Sequence, residues 1–116
     1  MPYDRHVTGR AGEDLALQHL LKHNLTLKER NFSCKMGEID LIMQDNLHLV
    51  FVEVRTRNKQ DFVSALESIT PQKQNNIRRT ALFYLQEQKV YEKMPCRFDV
   101  VTVDEHQQLD WLINAF

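Results

Sequence analysis

The segment GEIDLIMQDNLHLVFVEVRTR, residues 37–57, decides the fold. Within it, Glu38–Gln44 and Leu47–Arg55 are rich in aliphatic and β-branched residues, and Asp45–Asn46 separates them. Asp and Asn both tolerate the left-handed backbone of tight turns. The pattern therefore predicts two antiparallel strands joined by a two-residue loop, with the residues that flank the loop paired to each other.

This register predicts one aliphatic and one charged face for the hairpin. The aliphatic face is what a helix-packed core requires, and it carries Ile39, Leu41, Met43, Val50, Val52 and Val54. On the other face Glu38 lies opposite Glu53, and Asp40 is diagonal to Glu53 at roughly 7–8 Å between backbones. Arg55 lies on the same face.

Like charges that face each other destabilise a sheet, so this carboxylate cluster needs an explanation. One is a bound divalent cation, because carboxylates are the hard ligands that Mg²⁺ and Mn²⁺ prefer. The other is a solvated sheet face on which Arg55 neutralises Glu53. The residue pattern of the hairpin leaves both open.

The segment from Thr8 to about His23 has helical periodicity, with Thr8 as its N-cap. Its apolar face is formed by Ala16, Leu17, Leu20 and Leu21. Glu13 falls near the middle of this face, where a carboxylate needs a metal, a cation or several N–H donors as partners. Alternatively, Glu13 lies early enough in the helix to reach water beyond its end.

The other elements follow from cap signals and β-branched runs. A second helix begins at Thr70–Pro71, a cap residue followed by Pro at the first helical position, and runs to about Gln86. Residues 61–68 are ambiguous between a loop and a short helix. The further strands predicted are Leu25–Arg30, Arg97–Val103 and Leu109–Ala115. The predicted element order is αβββαββ, an α/β domain with a mixed sheet.

Composition is that of an ordinary globular protein. The 116 residues are enough to bury a core, and 42% are hydrophobic and 27% charged. We expect a single domain over residues 1–116 with a loose tail at 1–7. Without an apolar run of about 18 residues or a signal-peptide core, we expect a cytoplasmic protein with no membrane partner. Cys34 and Cys96, which form no C-x-x-C pair, are interpreted as ordinary thiols.

Several motifs carry a resemblance to a known family. They are residues 9–13 (GRAGE), 37–42 (GEIDLI), 49–57 (LVFVEVRTR), 69–71 (ITP) with Lys73 and Gln74, and 97–101 (RFDVV). Through these motifs most of the chain resembles the YraN-type family of uncharacterised bacterial proteins. That family looks like a member of the PD-(D/E)xK restriction-endonuclease-like superfamily, and its layout is similar to that of archaeal Holliday-junction resolvases. The resemblance implies a three-layer domain with helices on both sides of a mixed central sheet.

The resemblance also implies a metal-dependent nuclease site. Asp40 matches the first metal-binding aspartate of the superfamily, Glu53 the second carboxylate, and Glu13 an acidic residue on the first helix; these three would hold Mg²⁺ or Mn²⁺. Residue 55 occupies the position where the superfamily commonly has Lys. Arg55 cannot act as a base, because a guanidinium keeps its proton, but it can stabilise charge on a phosphate. Glu13, Asp40, Glu53 and Arg55 are the predicted catalytic residues.

The function predicted from the sequence is hydrolysis of DNA phosphodiester bonds, including those of branched or structured DNA. With a net charge of −1, nucleic-acid binding requires a local basic patch. The residues predicted to contact the nucleic acid are Arg57, Lys59, Lys73, Gln74, Arg78 and Arg79.

Two alternatives belong to other classes of protein. One is a non-catalytic nucleic-acid-binding or adaptor domain, which Arg55 favours and the convergence of three carboxylates opposes, since they repel DNA. The other is a protein-interaction module with a solvated acidic patch. The open edge of the last predicted strand also suggests a homodimer.

Overall fold

The computed structural model describes residues 5–58, 62–89 and 94–116, and for residues 5–9 the backbone alone. In chain order, these residues form α1 (Arg5–Lys22), β1 (Thr26–Cys34), β2 (Gly37–Gln44), β3 (Leu49–Thr56), α2 (Phe62–Glu67), α3 (Pro71–Gln88), β4 (Cys96–Val103) and β5 (Leu109–Leu112). The order therefore matches the predicted one, with α2 inserted in the segment that the sequence left ambiguous.

The strands of the described residues form one mixed sheet in the order β1-β2-β3-β4-β5. Strands β3 and β4 are parallel, and every other neighbouring pair is antiparallel. Parallel neighbours need a long crossover connection, and here the segment between β3 and β4 contains α2 and α3. The predicted α/β class with a mixed central sheet is confirmed.

Two hydrophobic cores lie on opposite faces of this sheet. In the first, Ala16 and Leu20 of α1 pack against strand residues such as Val52. In the second, Ile77 and Tyr84 of α3 pack with a different set of strand residues, among them Ile42, Phe51 and Val100. Burying one such aliphatic side chain contributes about 1.5–3 kcal/mol. The helices on both faces confirm the three-layer arrangement.

The hairpin loop is Asp45–His48, two residues longer than predicted, so the predicted loop length was wrong. The Oδ1 atom of Asp45 accepts the backbone N–H groups of Leu47 at 2.8 Å and His48 at 2.6 Å. Its Oδ2 atom accepts from Nη1 of Arg97 on β4, also at 2.7 Å. The longer turn is thus held by a side chain 52 residues away, which local turn propensity could not indicate.

The longer loop shifts the register by two residues and so preserves the predicted faces. The pairs are Leu41 with Val52, Ile42 with Phe51, Met43 with Val50 and Gln44 with Leu49. Continued by one residue, this register sets Asp40 directly opposite Glu53, closer than the predicted diagonal. Because the side-chain period of a strand is two, an even shift leaves each residue on its own face.

The predicted faces of β2 hold from Leu41 onwards but not before Asp40. Ile39 packs in the core beneath α3 instead of sharing the α1 face with Leu41 and Met43. The side-chain alternation of β2 is therefore interrupted at Asp40, which lies between Ile39 and Leu41. On β1, Asn31 lies opposite this point and has a positive φ of 55°, a conformation in which Asn is enriched. Both strands are distorted beside Asp40, and the alternation of residue types did not indicate this.

Element boundaries differ where pairing or packing extends an element. Helix α1 begins at Arg5, so Thr8 lies inside the helix, and the prediction that Thr8 is its N-cap was wrong. Strand β1 continues to Cys34 instead of ending at Arg30, because pairing with β2 supplies backbone hydrogen bonds across the predicted loop. Strand β5 ends at Leu112, not Ala115. Residues 1–4 of the predicted loose tail lie outside the described residues.

The start of α3 confirms the predicted cap signal. Pro71 is the first helical residue, and the Oγ1 atom of Thr70 accepts the backbone N–H of Lys73 at 3.2 Å. This hydrogen bond satisfies one of the amides that a helix leaves without a partner at its N-terminus. None of the helices formed by the described residues is long and apolar enough to cross a membrane.

Candidate functional site

The two hairpin carboxylates meet where β2 separates from β3. The last paired residues before this point are Leu41 and Val52. One step further, Oδ2 of Asp40 accepts the backbone N–H of Val54 at 2.8 Å. A side-chain carboxylate thus takes the place of a backbone acceptor, which orients Asp40 towards the opposite strand. The distortion of β2 described above is what brings Asp40 into this position.

Glu53 faces Asp40 from β3, and its side chain is 14% exposed. Burial, together with a hydrogen bond to Asp40 and the charge of Asp40, raises the pKa of Glu53 from 4.5 to about 9. The charge of Arg55 partly offsets this increase. At neutral pH Glu53 therefore carries a proton that it donates to Asp40, and the two carboxyl groups form one hydrogen-bonded unit.

Glu13 approaches the same unit from α1, with 18% of its side chain exposed. Its pKa is raised by burial and by the charge of Asp40, and is lowered by Arg30. The Nε atom of Arg30 lies 3.4 Å from Oε1 of Glu13, and its Nη2 atom lies 2.6 Å from Asp14. The structure therefore brings Glu13 close enough to Asp40 for their charges to interact, with Arg30 as a direct partner.

Arg30 was not predicted to belong to this site. Its position on β1 opposite Leu41 sends it to the α1 face, beside Glu13. The predicted strand included Arg30, but without a β1–β2 register nothing in the sequence indicated which helix it would meet. Of the partners considered for Glu13, namely a metal, a cation, several N–H donors or water, the structure shows a cation, Arg30.

Arg55 completes the cluster. Its Nη2 atom lies 3.8 Å from Oε2 of Glu53, and its side chain is 27% exposed. The Nε–H group is buried and has no hydrogen-bond partner among the residues that the structure describes. A buried donor without an acceptor is costly, so a ligand oxygen at this position would be stabilising.

The donor set fits Mg²⁺ or Mn²⁺ bound together with a substrate. Within residues 5–58, 62–89 and 94–116, no group of three or more His, Cys, Asp or Glu side chains is arranged to hold a metal ion. Magnesium, however, is usually held by one or two carboxylates, with waters and substrate phosphates as the other ligands. Asp40 and Glu53 meet that requirement once the proton between them is displaced. Glu13 is adjacent but is engaged by Arg30.

Among the predicted DNA-binding residues, Arg57 is turned inwards. Its Nη2 atom contacts Asp110 at 2.7 Å and its Nε atom contacts Thr102 at 3.3 Å. The guanidinium carbon lies 5.2 Å from the ring centroid of Phe62, and 8% of the side chain is exposed. These contacts connect the end of β3 to β5 and α2. Lys59 lies outside the described residues.

The other predicted DNA-binding residues lie on α3. Gly37, three residues before Asp40, lies against Asn76 and Thr80, in the second and third turns of this helix. Lys73 is exposed, whereas Gln74 donates from Nε2 to the backbone oxygen of Ile69 at 3.1 Å. One to two turns further along, Arg78 and Arg79 are both exposed.

A second buried carboxylate, Asp99, was not singled out in the sequence. It is 0% exposed and accepts from Nε of Arg97, from Nε1 of Trp111 at 2.9 Å and from the backbone N–H of Asn114 at 2.9 Å. Arg97 in turn bonds Asp45 in the hairpin loop. Asp99 is paired with Val52 near the start of the parallel strands, and its partners show a structural role for the 97–101 motif.

Fold and site together define a three-layer α/β domain with paired carboxylates at the centre of its sheet. The model of a family described as "Uncharacterised protein family UPF0102" matches residues 12–103. The chain belongs to this family, which confirms that it is a member of an uncharacterised bacterial family, as its motifs indicated.

Relatives match along nearly their whole length. A UPF0102 protein of Alkalilimnicola ehrlichii is 49% identical over 109 residues, which cover 94% of this chain and 86% of the relative. One from Herminiimonas arsenicoxydans is 49% identical over 113 residues, covering 96% and 87%. One from Coxiella burnetii is 43% identical over 107 residues, covering 92% and 89%. These relatives extend the family match over most of the chain.

Proposed function

We propose that this protein is a metal-dependent endonuclease that hydrolyses DNA phosphodiester bonds. The observation that carries the proposal is the hydrogen-bonded pair of Asp40 and Glu53, which lies where two strands separate and beside the buried, unpartnered Nε–H of Arg55. The resemblance to the PD-(D/E)xK superfamily supports the same conclusion, since its metal-binding carboxylates match these two positions.

In the proposed mechanism, Asp40 and Glu53 are the residues that would hold Mg²⁺ or Mn²⁺, with waters and the scissile phosphate as further ligands. Such an ion would supply a water of lowered pKa and would offset charge on the phosphate. The backbone N–H of Val54 orients Asp40, and Glu53 would have to give up its proton to act as a ligand. Glu13 adds a third negative charge, which Arg30 balances.

Arg55 acts on the phosphate and not on the water. Its guanidinium cannot accept a proton at any relevant pH, so it does not activate the nucleophile. Instead, its guanidinium, part of a side chain that is 27% exposed, donates to a phosphate oxygen, where negative charge grows as the bond to water forms.

The DNA backbone is gripped by Lys73, Arg78 and Arg79, which are exposed on α3. Gln74 joins them if it exchanges its hydrogen bond to Ile69 for one to a phosphate. Arg57 is a positioning residue and does not contact the DNA. It holds the end of β3 against α2 and β5, and so keeps Arg55 in place. Phosphate contacts of this kind set the orientation of the DNA without reading its sequence.

The test is an endonuclease assay with linear, nicked and four-way-junction DNA in Mg²⁺, Mn²⁺ or EDTA. We expect metal-dependent cleavage, and a loss of at least about a hundredfold in Asp40→Asn. Glu87→Gln, which changes an exposed acid on α3, is the matched control and should cleave normally. Cleavage that survives EDTA or Asp40→Asn overturns the mechanism.

A non-catalytic nucleic-acid-binding domain is the second candidate. It is favoured by Arg55, which stands where the resembling enzymes commonly have Lys. This candidate predicts that DNA binding is unchanged by EDTA and that no metal supports cleavage. Binding with a measurable affinity but without cleavage in Mg²⁺ or Mn²⁺ would establish this function in place of the first.

Localisation and assembly follow from the same proposal. A DNA-cleaving protein with two free cysteines, Cys34 and Cys96, belongs in the cytoplasm, where thiols stay reduced. Strands β1 and β5 form the edges of the sheet, and pairing of one edge with its copy in a second chain would give a homodimer. Sedimentation equilibrium of the purified protein tests this: a monomer at all concentrations contradicts the dimer.

A further inference from the structure

A cavity of about 690 Å³ lies beside the carboxylate cluster, at the carboxyl ends of the parallel strands. Its walls come from α1, the end of β3, α2 and the turn between β4 and β5. Thr56, three residues beyond Glu53 on the same strand, is part of the wall. Three strand residues span about 10 Å, and the odd spacing directs the side chains of Thr56 and Glu53 to opposite faces of β3, so the cavity and the cluster are neighbours along the strand but separate sites.

Part of the cavity wall is apolar. Gly12, Leu15, Ala65 and Val103 contribute to it. Helix α1 comes so close to the strands here that a Cβ atom on Gly12 would lie 3.1 Å from Cγ2 of Thr56. A flat ring can lie against such a wall. The volume is within the range of about 300–1,000 Å³ that ligand pockets usually have.

The charges around the cavity select against a phosphate. Asp104 and Glu105 both line it. Among the described residues that line the cavity the cation is Arg57, which contacts Asp110 at 2.7 Å and interacts with the charge of Asp104. A phosphate inside would face two carboxylates, whereas an uncharged ring with N–H donors would find acceptors in them. Asp104 is held in place by the backbone N–H groups of His106 and Gln108, which donate to its Oδ1 atom at 2.8 and 2.9 Å.

We propose that this cavity receives an unpaired nucleobase of the DNA strand that the Asp40–Glu53 cluster cuts, extruded from a nucleotide that flanks the scissile phosphate. The inference rests on the proposed nuclease function and names its substrate class: DNA with an unpaired nucleotide, as at a bulge, flap or junction. An unpaired base costs little to extrude, because no base pair has to be broken. The scissile phosphate lies outside the cavity, near Arg55 and the two carboxylates.

The experiment compares two duplexes that are identical except at one unpaired position. One carries a single extra cytosine, and the other carries an abasic tetrahydrofuran residue there. Binding of each is measured by fluorescence anisotropy in EDTA, so that no cleavage occurs. We expect the cytosine duplex to bind about tenfold more tightly or better, since contacts to one base typically give this much.

Variants that fill the cavity provide the decisive comparison. Ala11 lies on α1 and Ser64 on α2; both line the cavity and are exposed, so a larger side chain at either is compatible with folding. Ala11→Phe and Ser64→Phe should each remove the preference for cytosine over the abasic site, and leave the affinity for the abasic duplex unchanged. Gln18→Phe, on the exposed side of α1 two turns away, should keep the preference.

The outcomes separate this inference from the nuclease proposal. Equal binding of both duplexes by the unaltered protein overturns the cavity assignment, as does a preference that both cavity-filling variants retain. Cleavage of the same duplexes with Mg²⁺ is then measured. Asp40-dependent cleavage without a base preference leaves the nuclease standing and refutes the base cavity. A base preference without cleavage leaves the cavity standing and refutes the nuclease.

Discussion

Replacement of Glu53 by Gln should stabilise the metal-free protein. In the folded chain the pKa of Glu53 is about 9, against 4.5 for an ordinary Glu. When the chain unfolds at pH 7 this group releases its proton, and the free energy of that release favours unfolding. For a group that titrates at 4.5 when unfolded, the penalty at pH 7 is about 3 kcal/mol. Gln has the same shape, can donate to Asp40 and has no proton to release.

The sign of the effect sets its pH dependence. A folded-state pKa above the unfolded value means that the folded chain binds more protons between pH 4.5 and 9, so stability falls as the pH rises through this window. Glu53→Gln and the unaltered protein should therefore be about equally stable near pH 4.5. The variant should gain about 3 kcal/mol by pH 7, or roughly 10 °C in Tm for a chain of this size.

Urea and thermal unfolding at pH 5, 6, 7 and 8 in EDTA would measure this difference. Glu87→Gln, an exposed change of the same chemistry, is the control and should follow the unaltered protein at every pH. The reasoning is refuted if the stability difference between Glu53→Gln and the unaltered protein stays constant from pH 5 to 8. It is also refuted if the variant is the less stable of the two at pH 7.

Three further predictions concern the metal, the phosphate and the buried network. Binding of Mn²⁺ should release one proton, so the affinity of the protein for Mn²⁺ should rise by up to about tenfold per pH unit between pH 5 and 8. Asp40→Asn should abolish the thermal stabilisation by Mn²⁺. Isothermal titration calorimetry in buffers of different ionisation enthalpy would count the released protons. Arg55→Ala should reduce kcat by about 10²–10³ with little change in DNA affinity, because the Arg55 guanidinium stabilises the negative charge that develops on the phosphate. Single-turnover kinetics would measure the rate of cleavage, and fluorescence anisotropy would measure the affinity. A loss of affinity alone would contradict this role of Arg55. Asp99→Asn should lower the free energy of unfolding by about 3–5 kcal/mol, since it breaks a buried ion pair with Arg97. Urea denaturation would measure this loss. A loss below about 1 kcal/mol would contradict the structural role of the Asp99–Arg97 ion pair.

Much of the fold could be predicted because local patterns and global packing agree. The alternation in the central hairpin predicted its two faces, and the Thr70–Pro71 cap predicted where α3 begins. The hairpin loop was predicted two residues too short because Arg97, on β4, holds Asp45 in a longer turn. The change of face at Ile39 was not predicted either; it lies opposite the positive φ of Asn31 in the neighbouring strand, a tertiary neighbour that the pattern of β2 does not contain.

The candidate site was also predicted only in part. The hairpin pattern and the family motifs predicted the residues that would meet, namely Asp40, Glu53 and Arg55, and an even register error left them on their predicted faces. Neither revealed that Asp40 would bond the backbone of Val54 or that Glu53 would keep its proton. Those properties depend on burial and on distances between strands, which a pattern of residue types does not contain.

By itself, then, the sequence determined which side chains share a strand face, because the period of two along a strand is a property of the backbone and does not depend on the rest of the fold. The tertiary structure alone decided what surrounds them: Arg30 beside Glu13, and a cavity beyond Thr56. These neighbours come from elements distant in the chain. Their electrostatic effect depends on the low polarity of the space that those elements enclose.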